Sequence, residues 1–318
     1  MNLLIYLMLS FSCEIIYFQI AKKFNIIDKP NQRSSHTLIT IRGGGVVFSA
    51  MLLIWYLQNQ DFSYFIIGLM AISLISLWDD VSTLSNNKRI VVHVISVCLL
   101  LMDAKLSLKW YAYPAVFICI VGMINVYNFM DGINGLTALY SLINMVSLYW
   151  VNEYQALYIK SSIFLPVIAS LIVFSFFNVR KVAKCFAGDV GSVSMAFIVS
   201  IFLINLICVT NSLLWGIFLG VYGIDSLFTI CCRLLRKENI FQAHRSHFYQ
   251  FLVNELGWKH VTVSSLYAGI QFLLNIIVVI SYWKNLPFLA ILGLFVILII
   301  YIIFRLHLEG KHRLFAKY

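Results

Sequence analysis

Asp79-Asp80 sets two carboxylates side by side at the edge of an apolar stretch. Like charges that close repel, and keeping both ionised needs a cation nearby. Magnesium suits such a pair, because it takes one or two carboxylates and keeps positions free for substrate phosphates. A solvated helix end explains an isolated pair equally well, although a carboxylate at a helix C-terminus opposes the helix dipole. Gly188-Asp189-Val-Gly191-Ser192 adds another carboxylate between glycines. Glycines let a backbone approach a phosphate, and the bland alternative is a turn with an N-cap. Asn128, Asp131 and Asn134 recur at i, i+3 and i+6, which is one face if the helix continues. Amides and a carboxylate there could read a nucleobase or ribose; polar packing between helices is the other reading. His244-Arg245-Ser246-His247 brings two imidazoles and a guanidinium, a set suited to a diphosphate or to a surface beside anionic lipid. Asp225 and Glu14 are single acids inside apolar runs, and pairing with a cation such as Arg233 would account for Asp225 as well as a function would.

Apolar helices must position all of these groups. Hydrophobic residues make up 61% of the chain and charged ones 11%, so a soluble multidomain protein is excluded. The expected architecture is all-α, a single polytopic membrane bundle over residues 1–318. Eleven segments are apolar enough to span: 2–21, 43–57, 62–78, 88–103, 111–129, 132–151, 156–177, 191–209, 213–232, 261–282 and 286–304. The second and fourth are short. The seven cysteines show no CxxC spacing and read as small buried hydrophobes, and the apolar N-terminus reads as a retained helix.

Basic residues orient the bundle. With the N-terminus outside, nineteen of the 23 Lys and Arg fall in inner loops or at the inner C-terminus. Only Lys105, Lys109, Lys160 and Lys284 fall outside. The net charge of +10 then reflects this bias and not nucleic-acid binding. Trp55, Trp110, Trp150, Trp215 and Trp283 fall at outer ends and Trp78 at an inner end, as an interfacial belt would have them. Every polar motif lies on the inner side. The loops 22–42, 79–87, 178–190 and 233–260 are therefore expected to form a site facing the cytoplasm at the plasma membrane.

Four motifs now stand in order between apolar helices. They are Asp79-Asp80, Asn128-x-x-Asp131-Gly-x-Asn-Gly135, Gly188-Asp189-x-Gly-Ser192 and His244-Arg-x-His247-x-Tyr-Gln250. Together they resemble the polyprenyl-phosphate N-acetylhexosamine-1-phosphate transferases, glycosyltransferase family 4. Asp28-x-Pro-Asn-x-Arg-Ser-x-His36 and Arg42-Gly-Gly-Gly45 look like the same family, so the resemblance runs from about residue 22 to 250. It implies transfer of a sugar-1-phosphate from a UDP-N-acetylhexosamine to undecaprenyl phosphate, with UMP released and Mg²⁺ required (Mn²⁺ as a substitute). By that resemblance Asp189 is the metal ligand, and Asp79 with Asp80 assists the lipid phosphate. Asn128, Asp131 and Asn134 contact the nucleoside, and Phe186 stacks on uracil. His244, Arg245 and His247 hold the diphosphate or sugar, and Arg42 contacts substrate. Asp131 and His247 count with Asp79 and Asp80 as catalytic candidates.

Two departures narrow the branch. Leu38-Ile39-Thr40-Ile41-Arg42 replaces the Pro-Thr-Pro that much of the family shows before the glycines. The histidine motif is not the multi-histidine form of the cell-wall precursor enzymes. It looks more like the transferases that start O-antigen or capsule chains with GlcNAc or a 6-deoxy sugar such as FucNAc or QuiNAc. Membrane lipid is then a partner, nucleic acid is not, and a homodimer is allowed. The competing class is a transporter or lipid flippase with a cytoplasmic acidic gate. Such proteins place their acids near the bilayer midplane on repeated, broken helices, and no repeat is visible here.

Overall fold

The computed structural model describes residues 1–30, 35, 38–82, 84–104, 106, 109–240, 242 and 244–316. Residues 31–34 and 36, which belong to the Asp28–His36 motif, lie outside the described residues.

Each of the eleven apolar segments is a helix. They are α1 (Leu3–Lys23), α2 (Val46–Asn59), α3 (Ser63–Val81), α4 (Asn86–Asp103), α5 (Tyr113–Met130) and α6 (Leu136–Tyr154). Then follow α7 (Phe164–Asn178), α8 (Gly188–Thr210), α9 (Gly220–Leu235), α11 (His260–Trp283) and α12 (Pro287–Leu308). Two short helices, α10 (Phe248–Asn254) and α13 (Gly310–Phe315), lie outside the spans. Three expected segments shift at their starts. α7 and α9 are each preceded by a 3-10 turn, and α6 begins only after Gly135, whose φ is +87°.

Among the described residues, eight of these helices, some counted with a preceding 3-10 turn, are long and apolar enough by themselves to cross a membrane, and α2, α4 and α6 fall short of that measure. The reasons are local. α2 has only 14 residues. α4 carries Lys88, Arg89 and Asp103, and α6 carries Asn144, Asn152 and Glu153. The tryptophan belt is also smaller than expected: Trp55 and Trp215 are fully buried and donate to Ser162 and Thr210 side chains. Trp110, Trp150 and Trp283 are exposed at one end and Trp78 at the other. All seven cysteines are free.

α8 is the axis of the bundle. It packs against α2, α3 and α5, and 72% of its apolar window is buried, against 6% for α12. Phe65 stacks on Phe197, and Phe164 packs on Phe202. A helix buried all round is a core helix, whereas one so exposed and so apolar faces lipid. α11 packs on α6 through polar side chains: Gln271 donates to Asn275, and Asn275 donates to Asn144.

A feature absent from the sequence reading is a small antiparallel ladder, β1 (Ile27–Asp28) with β2 (Thr40–Ile41). It closes the base of the first loop. The chain beyond β2 then lies along the segment before α8. Phe186 N donates to Ile41 O, Gly44 N to Phe186 O and Gly45 N to Ala187 O. The glycines are needed for this approach, because a Cβ on Gly45 would collide with the Gly191 backbone.

Candidate active site

The C-terminal ends of α3, α5, α7 and α9 meet the N-terminal ends of α4, α6, α8 and α11 at one end of the bundle. Three carboxylates and two guanidiniums converge there. Asp80 lies beneath the start of α8, where the Asp189 and Val190 N–H groups donate to its two oxygens at 2.9 and 3.0 Å. It thereby satisfies donors that a helix N-terminus leaves open. Gly188 makes room for this: its φ is +71°, and a Cβ there would stand 2.5 Å from Asp80 Oδ2. Arg42 spans from Asp80 (Nε to Oδ1, 2.6 Å) to Asp189 (Nη2 to Oδ1, 3.0 Å). Arg89 spans from Asp79 (2.8 Å) to the other Asp189 oxygen (3.1 Å). Asp79 also accepts from Leu84 N at 2.7 Å.

Burial works against the Arg42 charge, but Asp80, Asp189 and Asp28 outweigh it and raise its pKa. Three carboxylates face two guanidiniums, with Asp28 and Asp131 on the same cavity, so acids outnumber the fixed cations. A site with that balance invites a cation before it can receive phosphates.

The Asn128–Gly135 stretch is not one helix face. α5 stops at Met130, and the chain turns through Asp131 and Gly132. Asn134 N–H donates to His260 Nδ1 at 3.2 Å, and its amide donates to Arg180 O at 3.0 Å. Ser264 donates to Asn134 O, and Gly135 N donates to Asn178 Oδ1. The break is thus pinned to α11 and to the turn after α7. Loss of water pushes the Asp131 carboxyl up to about 7.

A polar cavity of about 370 Å³ opens between these parts. Arg42, Asn128, Asp131, Asn134, Phe186, Asp189 and His244 all line it. A smaller cavity of about 130 Å³ shares Asn134, Phe186 and His260 with it. Asp79, Asp80, Arg245 and His247 are not on the wall. For Asp80 this redirects the expectation of direct help to a lipid phosphate, since its oxygens hold α8 and Arg42. His247 sits one ring behind His244, at a centroid distance of 5.0 Å, and its Nδ1 meets Asp225 at 3.0 Å. Burial, with His247 and Arg233 adding, pushes His244 down to about 3, so it is neutral near pH 7. Arg233 does not pair with Asp225; it binds Glu238 and the carbonyls of Asn239, Ile240 and Gln242.

Arg89, Asn178 and His260 belong to the site without having been singled out beforehand, and Gln250, quoted only as the end of the histidine motif, lines the cavity too. Arg89 counted only toward topology, and its four-residue reach into the helix gave no motif. His260 had one available signal, its place just before an apolar run, where a helix starts.

Among the described residues, no group of three or more His, Cys, Asp and Glu could hold a metal ion. Magnesium does not need one, because it is held by one or two carboxylates plus substrate phosphates and water. Asp131 and Asp189 line one cavity, so the donor set fits that ion.

The comparisons with known proteins agree with this geometry. The family described as glycosyl transferase family 4 matches residues 62–207, which hold Asp79, Asn128, Asp131 and Asp189 but neither Arg42 nor the histidine loop. The chain is 28% identical to a probable undecaprenyl-phosphate N-acetylglucosaminyl 1-phosphate transferase of Bacillus subtilis, over 87% of this chain and 84% of that protein. It is 26% identical to an undecaprenyl-phosphate alpha-N-acetylglucosaminyl 1-phosphate transferase of Thermotoga maritima, over 80% and 82% of the two chains. A phospho-N-acetylmuramoyl-pentapeptide-transferase of Kosmotoga olearia is 26% identical over 57% of this chain and 55% of its own. With the acidic motifs gathered at one end of an apolar bundle and relatives matched along most of its length, residues 62–207 of this chain match glycosyl transferase family 4, and the chain as a whole is similar to undecaprenyl-phosphate sugar-1-phosphate transferases.

Proposed function

We propose that this protein transfers N-acetylglucosamine-1-phosphate from UDP-N-acetylglucosamine to undecaprenyl phosphate at the cytoplasmic membrane surface, releasing UMP. Hexosamine-1-phosphate transfer to the lipid is the general reaction supported by the relatives, and the sugar follows the names of the first two. Eleven crossings with the N-terminus outside, and a role in starting an O-antigen or capsule chain, belong to the same proposal. The observation that carries it is Asp189, set by Asp80 at the start of α8 and gripped by Arg42 and Arg89 on a polar cavity.

The chemistry follows from charge. Two anionic phosphates must meet in line, which demands positive groups and exact positioning of both ends. Asp189, with Asp131, would hold Mg²⁺, which when bound neutralises the charge shared between the phosphates. Arg42 and Arg89 supply the fixed cations. Phe186 gives uracil a face to stack on, and the Asn128 and Asn134 amides offer hydrogen bonds to the nucleoside. His244, neutral at pH 7, offers hydrogen bonds to the diphosphate or sugar, with Arg245 and His247 in the same loop. Asp79 is the carboxylate left to place the lipid phosphate or receive its proton. Direct attack by that phosphate is favoured over a double displacement on Asp80, because Asp80 would first have to abandon two N–H donors and Arg42.

Purified protein with Mg²⁺, undecaprenyl phosphate and a panel of UDP-N-acetylhexosamines is expected to release UMP, most rapidly from UDP-GlcNAc. Asp189→Asn should lower kcat at least about hundredfold with an unchanged melting temperature. A faster 6-deoxy donor would reassign the sugar. No UMP from any donor would remove the reaction, and full activity in Asp189→Asn would remove the site.

A further inference from the structure

Asp225 lies in the membrane-spanning part of α9 with no exposed side-chain surface. Four donors converge on it. His247 Nδ1 stands 3.0 Å from Oδ1, where Phe248 N and Thr229 Oγ1 also donate at 3.3 Å. Tyr267 OH donates to Oδ2 at 2.5 Å. An ionised carboxylate only accepts, so four donors satisfy it and the ring proton of His247 belongs on Nδ1. The other ring nitrogen, Nε2, is buried and has no hydrogen-bond partner among the described residues. Leaving a buried polar atom unpaired is costly, and such atoms call for an explanation.

The surroundings supply one. The His247 ring lies 5.0 Å from His244 of the cavity wall and 6.2 Å from Phe129, one residue after Asn128. The loop holding both histidines is fixed from a second side. Arg305, buried on α12, donates to Ser246 O and to Thr229 Oγ1, both at 2.9 Å.

We propose that Asp225 is a positioning residue for the transfer reaction: it holds His247 in the Nδ1–H form, so that Nε2 is the nitrogen left to act, behind His244 of the cavity wall. A carboxylate on one ring nitrogen fixes the tautomer and shares the positive charge when the other nitrogen takes a proton. The proposal rests on the reading of His247 as part of the site. The competing role is a purely structural one, in which Asp225 only caps the start of α10 through Phe248 N.

A double-mutant cycle separates them. Asp225→Asn keeps the shape and removes the charge, and it is expected to lower kcat about hundredfold with KM for the UDP-sugar nearly unchanged. Asp225→Glu should recover part of the loss. In a His247→Gln background, Asp225→Asn should cost nothing more, because groups acting as a unit are not additive. Wild-type kcat in Asp225→Asn, or losses that simply add, would overturn the positioning role. Wild-type kcat in His247→Gln would instead overturn the placement of His247 in the site. Should Asp225→Asn fail to fold, nitrogen NMR of labelled histidine in the intact protein decides. A proton on Nδ1 of His247 is expected, and a proton on Nε2 alone would overturn the proposal.

Discussion

Asp189 and Asp80 show how far residue type and spacing reach. Both were legible as acids that matter, from their neighbours alone. Their division of labour was not, because it depends on α3 ending under the start of α8, more than a hundred residues later. The same distance hid Arg89, which bridges Asp79 and Asp189. Asp225 was visible as a costly acid in an apolar helix, but its partner came from a loop 22 residues away and not from the nearer Arg233. Phe186 was placed by its three-residue distance from Asp189, and it lines both cavities. If it stacks on uracil, Phe186→Ala should raise KM for the UDP-sugar about tenfold, with kcat nearly constant, since stacking is worth about 1–3 kcal/mol per base. Steady-state kinetics at saturating lipid would read this, and an unchanged KM would move the base elsewhere.

At the scale of elements, the helices were legible because apolar runs of that length have few other uses. The ladder between β1 and β2 was not, since two-residue strands carry no periodicity. Nor could the sequence show that Asn128, Asp131 and Asn134 leave the helix yet stay on one wall; Gly132 and Gly135 marked the break without its direction. The contact that matters most is between the glycine run and α8. A Cβ on Gly45 would meet backbone of Gly191, and backbone cannot swing aside as a side chain can. Gly45→Ala is therefore expected to destabilise the bundle by about 1–3 kcal/mol, as overpacking does, and to draw Arg42 away from Asp189. Gly122→Ala, whose added methyl meets nothing within 4 Å beyond its own helix, should be neutral or slightly stabilising in the same denaturation assay. Equal melting temperatures for the two variants would show that the loop does not rest on α8.

The whole molecule separates its tasks by depth. One end gathers four acids, two bridging arginines and two histidines around a cavity. The middle holds neutral polar pairs such as Gln271 with Asn275. The lipid-facing surface is as apolar as α12. A transporter would be expected to keep its acids near the centre of the bilayer. A transferase joining a lipid to a soluble nucleotide needs them where both can arrive, which is the arrangement found. Such an enzyme leaves a chemical signature that separates it from any enzyme moving the sugar alone: the phosphate nearest the sugar travels with it. UDP-N-acetylglucosamine carrying radioactive phosphorus only at that position, incubated with the protein, Mg²⁺ and undecaprenyl phosphate, tests this directly. The label should pass into the organic-extractable lipid while the released UMP stays unlabelled. Label left in water as UDP, or no lipid label with active substrates, would contradict the assignment.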